Sequence, residues 1–298
     1  MQICSFLPSA TEILYALGLG DWIAGVTFEC DYPPEARNKP IVVGTVLRHN
    51  LAPEEIDREA SNSAAHGESL YTVDTEALNR IRPDLVVTQE LCDVCAVSTS
   101  HLAKALGQLS HQPKVLPLTP HTFEDVLLDI ERVGAAAGRQ QKAAEVVADL
   151  RVRIAQVEAR IKARPTVACL EWLNPVYNAG HWVPDMVKIA GGKDLLAARG
   201  EYSTRISYGA VIDAKPDVIV VMPCGYDAKK AKQEYCRTNF PAGWNDIPAV
   251  RSGQVYAVHA SAYFSRPGPR LVDGVEILCC LLQGDFSVRL PADSWVQI

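Results

Sequence analysis

The stretch TEALNRIRPDLVVT, residues 75–88, joins a helix pattern, a Pro-Asp pair and an apolar strand pattern. Proline lacks a backbone N–H and restricts the residue before it, so the helix predicted over 75–81 must end before Pro83. The run 85–88 is typical of a strand buried on both faces of a parallel sheet. The same pattern returns in VIDAKPDVIVVM, residues 211–222, which indicates two units of one α/β construction.

Strand and helix patterns continue to alternate on the N-terminal side of this stretch. Residues 2–7 and 23–27 read as strands, and a helix between them is predicted to begin with a capping box from Ser9 to Glu12. Residues 47–72 are polar and show no regular periodicity. We therefore interpret 47–72 as an irregular loop or insertion in the first unit.

A helix-forming segment follows at residues 122–163 and is interrupted only around Gly134 and Gly138. Its second half, residues 140–163, would be about 36 Å long as one α-helix. A helix of that length is a rigid connector, in contrast to a Gly/Ser linker. The predicted organisation is an N-terminal α/β lobe at 1–121, a helical connector at 122–164 and a C-terminal α/β lobe at 165–298.

Composition limits the possible functions. The 298 residues suffice for two domains. The net charge is -6, and the sequence has no basic clusters of the kind that nucleic-acid binding requires. No apolar run is long enough for a membrane span, and no signal peptide pattern follows Met1. These features, with nine cysteines spread along the chain, predict a cytoplasmic protein, or a periplasmic one if Met1 was added to a mature chain.

The order of these segments resembles the helical-backbone class of ABC-transporter substrate-binding proteins, and in particular its cobalamin-binding branch. The resemblance extends over nearly the whole chain. Its motifs are DYPP at 31–34, RPDLVV at 82–87, IAGGKDLL at 189–196 and SRPGPR at 265–270. It implies an α/β fold with two Rossmann-like lobes, a long backbone helix and a ligand cleft between the lobes.

The same resemblance implies which loops contact the ligand, since the family binds it at the ends of strands, as open α/β sheets generally do. Aromatic side chains in these loops suit a flat macrocycle with amide substituents. We therefore expect cobalamin or a related corrinoid as the ligand. The expected contacts are Phe28, Cys30, Tyr32, Glu90, Leu91, Cys92, Trp172, Asn174, His181, Trp182, Tyr263 and Phe264.

A metal at the centre of the macrocycle would need an axial ligand from the protein. His181, Cys92 and Cys95 are the candidates, because imidazole and thiolate are common ligands of cobalt and iron. The same residues suit haem or a ferric chelate. The sequence leaves the choice between these ligands open.

The stretch ELCDVCAVS, residues 90–98, allows two further hypotheses. Two cysteines three positions apart after a strand resemble a thiol redox enzyme, although Asp93 between them would raise the pKa of the thiols and oppose that chemistry. A structural zinc site would need further ligands, for which Cys30 or a histidine such as His66 is a candidate. The sequence contains no other catalytic motif, so we predict a binding protein and no enzyme.

The resemblance also concerns partners. Family members dock on a membrane permease through one acidic residue on each lobe. Glu76 matches the first, whereas Ser265 stands beside Arg266 where the second acid is expected. Together with the missing signal peptide, this difference predicts an intracellular corrinoid-binding protein that is uncoupled from a permease.

Overall fold

The computed structural model describes residues 1–47, 53–66, 69–89 and 105–298. Its internal contacts divide the chain into two units, each treated by itself below. Unit 1 comprises Met1–Thr119 and Leu127–Val147, and unit 2 comprises Pro120–Val126 and Ala148–Ile298. The lobe boundaries predicted at residues 121 and 165 stay a prediction.

Unit 1 contains a six-stranded sheet with the order β4-β3-β2-β1-β5-β6. All its pairs are parallel except β3 with β4. The strand order reverses between β1 and β5, which makes their carboxyl ends the expected ligand position in such a sheet. Its elements are β1 (Ile3–Ser5), α1 (Pro8–Ala16), β2 (Ile23–Thr27), β3 (Ile41–Thr45), α2 (Pro53–His66), β4 (Tyr71–Val73), α3 (Thr75–Ile81), β5 (Leu85–Gln89) and β6 (Lys114–Leu118), with 3₁₀ turns at Gly20–Trp22 and Pro34–Asn38.

Two helices, α4 (Phe123–Ala136) and α5 (Gln140–Glu158), contribute residues to both units. Unit 2 then has the strand order β12-β11-β10-β7-β8, and β9 also pairs with β7. Strand β7 is parallel to β10 and β9, while β8 and β12 are antiparallel edge strands. Its elements are β7 (Thr166–Leu173), β8 (Val176–Asn178), α6 (Val183–Ile189), β9 (Lys193–Asp194), α7 (Tyr208–Ala214), β10 (Val218–Val221), α8 (Ala228–Arg237), a 3₁₀ turn (Trp244–Asp246), α9 (Pro248–Arg251), β11 (Val255–Val258), α10 (Ala260–Tyr263), α11 (Leu271–Gln283) and β12 (Trp295–Gln297).

The repeated helix-Pro-Asp-strand pattern forms the same local structure in both units. Helix α3 ends at Arg82 with φ 53°, and helix α7 ends at Lys215 with φ 48°. Each residue precedes a proline and leaves the helical conformation as a left-handed cap. The following strands, β5 and β10, are completely buried. The predicted α/β fold with two similar units is thereby confirmed.

The start of α1 differs from the prediction. The helix begins at Pro8, and its N-cap Leu7 has no side-chain cap hydrogen bond. Proline at the first helical position supplies a suitable φ angle without needing a donor. Ser9 therefore lies inside the helix, where its Oγ is buried without a hydrogen-bond partner in the described part of the chain. The predicted capping box at Ser9 is wrong.

Two further expectations about regular structure are corrected. The segment 47–72 is not irregular throughout, because residues 53–66 form α2 and β4 begins at Tyr71. Helix α5 has 19 residues and ends at Glu158, five residues before the predicted end. It is therefore about 28 Å long, shorter than the predicted 36 Å.

Candidate functional site

Exposed aromatic side chains follow β2 at the carboxyl edge of the unit 1 sheet. Phe28 is 38% exposed and Tyr32 is 45% exposed, and both were predicted to contact the ligand. The ring of Phe28 lies 6.4 Å from that of Tyr71 on β4, measured between centroids. Tyr71 was not predicted as a site residue. Its pairing with Thr45, at the carboxyl end of β3, indicates that it lies at the ligand-binding edge of the sheet. Unit 1 thus presents an aromatic surface where its parallel strands end.

Cys30 lies below this surface. Its Sγ is 3.0 Å from Thr11 Oγ1 and 3.3 Å from Thr27 Oγ1, and the residue is buried. These contacts connect α1, the end of β2 and the following turn. The structure therefore favours a supporting position for Cys30 under the loop that carries Phe28, and its predicted ligand contact stays a prediction.

The carboxyl end of β7 holds the corresponding residues in unit 2. Trp172 is half-buried, and its ring meets that of Tyr226 edge to face at 5.7 Å. The Nζ of Lys230 lies 3.9 Å from the centroid of the Tyr226 ring. Asn174 is exposed two residues after Trp172. The predicted residues Trp172 and Asn174 thus lie together, and Tyr226 joins them from the loop after β10.

Two aromatic residues that were expected to face the ligand are core residues. Trp182 is 5% exposed and Phe264 is 2% exposed. The Trp182 Nε1–H donates to the carbonyl oxygen of Phe264 at 2.8 Å, which fixes the start of α6 to the end of α10. A buried indole needs such an acceptor. The ligand contacts expected of these two rings stay predictions. Tyr263 is half-buried and carries the Arg270 guanidinium 5.6 Å from its ring centroid.

His181 is half-buried in the turn before α6 and has φ 55°, an uncommon conformation for a residue with a side chain. A segment that we call the strap, residues 199–206, runs antiparallel to this turn. Asn178 donates its backbone N–H to Thr204 at 3.1 Å, and His181 donates its own to Glu201 at 2.6 Å. Gly180 is required beneath the strap, because a Cβ there would lie 2.4 Å from the Ser203 nitrogen. The strap therefore fixes the His181 backbone.

Two further residues, His121 and Tyr202, lie beside His181 and were missed in the sequence. The Tyr202 ring meets His181 at 5.1 Å and His121 at 5.6 Å, edge to face in both cases. Burial, and secondly the charge of His121, lowers the pKa of His181. His121 follows the carboxyl end of β6, a position that indicates a site residue. No sequence pattern distinguishes Tyr202.

The start of the strap is anchored by polar contacts. Arg199 Nε donates to both carboxylate oxygens of Asp185, at 2.9 and 3.0 Å, and Phe123 N–H donates to the same group at 3.1 Å. Near its root, Asn178 donates to the Leu196 carbonyl at 2.7 Å. The exposed Tyr202 is thus carried on a well-connected segment.

Several predicted site residues lie outside the described residues, namely Glu90, Leu91, Cys92 and Cys95. Their ligand contact and the redox and zinc hypotheses stay predictions. Within the described ranges, no three His, Cys, Asp or Glu side chains gather as a metal site. His66, a proposed zinc partner, is exposed, and its Nδ1 lies 2.8 Å from the carbonyl oxygen of Asn62 in its own helix.

The two predicted docking positions differ in environment. Glu76 is exposed in the first turn of α3, and Ser265 is half-buried after α10. Among the residues that the structure describes, no helix has both the length and the apolar character needed to cross a membrane. Permease docking and its loss stay predictions.

Comparison with known proteins gives consistent relatives. An uncharacterized ABC transporter substrate-binding lipoprotein of Bacillus subtilis is 29% identical over 288 residues, covering 93% of this chain and 78% of the relative. A vitamin B12-binding protein of Vibrio cholerae is 24% identical over 287 residues, covering 95% and 89%.

Solved structures show the same fold. The periplasmic vitamin B12 binding protein of Vibrio cholerae matches with a TM-score of 0.68 and 23% identity, covering 95% of this chain and 96% of that one. A periplasmic heme binding protein from Pseudomonas aeruginosa matches with a TM-score of 0.74 and 19% identity, covering 99% and 97%. The family model described as periplasmic binding protein matches residues 3–262. The chain therefore belongs to the periplasmic binding protein family.

Proposed function

We propose that this substrate-binding protein takes cobalamin or a related corrinoid as its ligand. The observation that carries the proposal is the pair of aromatic surfaces at the carboxyl edges of the two sheets. Phe28 with Tyr71 forms the surface of unit 1, and Trp172 with Tyr226 forms that of unit 2. Such rings give a flat macrocycle a large apolar contact area at a low entropy cost. Several curated relatives are named for vitamin B12 binding, which supports the same ligand class.

The proposal assigns separate roles to the two kinds of side chain. The aromatic rings contact the faces and edges of the macrocycle, whereas polar groups near them, such as Asn174, bond to its amide substituents. Neither role requires a catalytic group, because recognition rests on shape and on a few directed hydrogen bonds. The mechanism is therefore binding by pre-formed loops on two rigid sheets.

An absorption titration of the purified chain with hydroxocobalamin, and separately with haemin, tests the proposal. We expect saturable binding of one hydroxocobalamin per chain, and Phe28→Ala and Trp172→Ala should each weaken it at least about tenfold through lost contact area. Trp22→Ala is the matched control, since Trp22 precedes the amino end of β2 and Phe28 follows its carboxyl end. Phe286→Ala serves unit 2, because Phe286 stacks on Trp295 away from β7.

Three outcomes distinguish the possible ligands. Tight binding of hydroxocobalamin that both site variants weaken supports the proposal. Tight binding of haemin alone would replace the corrinoid by haem. Unchanged hydroxocobalamin affinity in both Phe28→Ala and Trp172→Ala would show that the proposed surfaces do not bind the ligand.

The axial ligand of the bound metal is part of the same proposal. His181, Cys92 and Cys95 remain the candidates from the sequence, and the lowered pKa of His181 keeps its imidazole neutral and able to coordinate. The absorption spectrum of the corrinoid complex should change in the variant that removes the true ligand, among His181→Asn, Cys92→Ser and Cys95→Ser. Identical spectra in all three would show that the protein supplies no axial ligand.

A further inference from the structure

Two imidazole rings and one phenol ring meet beside the strap in unit 2. The centroids of His121 and His181 are 6.4 Å apart, and Tyr202 touches both rings edge to face. The three residues come from three separate segments: the residues before α4, the turn before α6, and the strap. Nothing in the proposed corrinoid contacts uses His121 or Tyr202, so this cluster needs its own explanation.

The backbone around the cluster is held in place by the strap. His181 keeps its left-handed φ of 55° while donating to Glu201 and accepting from Gly200 at 3.1 Å. Strained residues of this kind persist where the surrounding structure fixes them, and they concentrate at functional positions. The relative position of His181 and Tyr202 is therefore set by hydrogen bonds of the backbone and not by their side chains.

A buried ring nitrogen of His181 suits metal coordination. Its Nδ1 is buried and has no hydrogen-bond partner in the described structure. A buried ring nitrogen without a partner is costly unless a ligand satisfies it.

The surrounding charges favour a cation. Asp125 accepts the backbone N–H groups of His121 and Thr122, at 3.1 and 2.8 Å, which places a carboxyl group beside His121. The nearby guanidinium of Arg199 is paired with Asp185, which offsets its positive charge.

The spacing of the rings allows a shared ion. Metal–nitrogen bonds of about 2.0–2.1 Å place the centroids of two imidazoles on one ion up to about 6.5 Å apart. The separation of His121 and His181 lies at the wide end of this range. No third His, Cys, Asp or Glu completes a set among the described residues, which leaves the Tyr202 oxygen and water as the remaining donors.

We propose that His121, His181 and Tyr202 form a binding site for a divalent transition-metal cation. Imidazole nitrogens suit copper, nickel and zinc, and copper(II) binds such donors most tightly of the divalent series. The site is distinct from the proposed corrinoid contacts in two of its three residues, and only His181 is shared with them.

Copper(II) titration of the full chain tests this site, with calorimetry for affinity and electron paramagnetic resonance for the donor atoms. The parent protein is first treated with a chelator and carries Cys92→Ser and Cys95→Ser, which removes the competing thiol pair. We expect one copper ion per chain with nitrogen hyperfine coupling from two imidazoles. His121→Gln and His181→Asn should each weaken binding at least about tenfold, and asparagine is chosen because it tolerates a left-handed φ.

Two further variants sharpen the test. Tyr202→Phe should remove any phenolate-to-copper absorption band while leaving both nitrogen couplings in place. His111→Gln should leave the affinity unchanged, since His111 belongs to unit 1 and the three proposed ligands belong to unit 2. If His181→Asn fails to fold, His121→Gln alone decides the question.

The proposal is overturned if the double variant His121→Gln/His181→Asn binds copper as tightly as its parent, or if the parent binds none at micromolar concentration. The titration contains no corrinoid. Its result is therefore independent of whether the chain binds hydroxocobalamin, and each proposal can fail without the other.

Discussion

At the scale of single residues, a buried polar group without a hydrogen-bond partner lowers the stability of the folded chain. Asp194 accepts the backbone N–H groups of Leu196 and Ala197 with Oδ1, but its Oδ2 is buried and has no partner in the described structure. Removal of this carboxyl group from water raises its pKa from 3.8 to about 6. Asp194 lies five residues before the strap, so its ionisation affects the segment that leads to the candidate site.

The pH dependence that follows has a defined sign. Because the pKa of Asp194 is higher in the folded chain than in the unfolded chain, ionisation favours unfolding. The stability from this group is fully present below about pH 4 and is lost as the pH rises through about 6, by at most about 3 kcal/mol. Asp194→Asn keeps the acceptor oxygen and removes the charge. We expect the variant to exceed the parent in unfolding free energy near pH 7.5, with the difference vanishing near pH 4.

Urea unfolding at several pH values measures this difference. Asp227→Asn is the matched control, because Asp227 is an exposed N-cap and asparagine caps a helix about as well. A constant difference between Asp194→Asn and the parent across the pH range would contradict the assignment.

At the scale of helices and strands, a partly buried ion cluster joins α5 to α11. Arg153 binds Asp273 and Glu276, with Nε 2.9 Å and Nη2 2.8 Å from the two Glu276 oxygens. Arg153→Met keeps the aliphatic stem and leaves two neighbouring carboxylates without their cation. We expect a loss of about 2 kcal/mol in unfolding free energy, between the values for exposed and buried pairs.

Arg151 provides the comparison two residues away on the same helix. It pairs with Glu124, and both side chains are largely exposed. Arg151→Met should therefore cost less than about 1 kcal/mol by the same urea measurement. Equal losses for the two variants would show that burial does not strengthen the Arg153 cluster.

The success of sequence reasoning also varies with scale. The helices and strands around Pro83 and Pro216 were predictable, because proline acts on its immediate neighbours. The cap at Ser9 was not, since Pro8 offers a competing helix start. Burial of Trp182 and exposure of Phe28 depend on packing between distant segments. Their shared aromatic character therefore does not distinguish the buried ring from the exposed one. The cluster of His121, His181 and Tyr202 brings together residues that are far apart in the sequence. No local sequence pattern predicts that they are in contact.

At the scale of the whole molecule, the tryptophans allow the two units to be followed separately. Trp22 is the single tryptophan in the sequence of unit 1, while Trp172, Trp182, Trp244 and Trp295 belong to unit 2. Trp22→Phe therefore yields fluorescence from unit 2 alone. Comparison with the parent gives the signal of Trp22 by difference.

This separation tests whether both units respond to the proposed ligand. A ligand that binds only the folded state at 100 times its Kd adds about 2.7 kcal/mol to the stability of what it contacts. Since Phe28 belongs to unit 1 and Trp172 to unit 2, hydroxocobalamin should shift the urea midpoints of both signals to higher concentration. A shift confined to unit 2 would place Phe28 outside the ligand contacts, and the affinity of Phe28→Ala would then equal that of the parent.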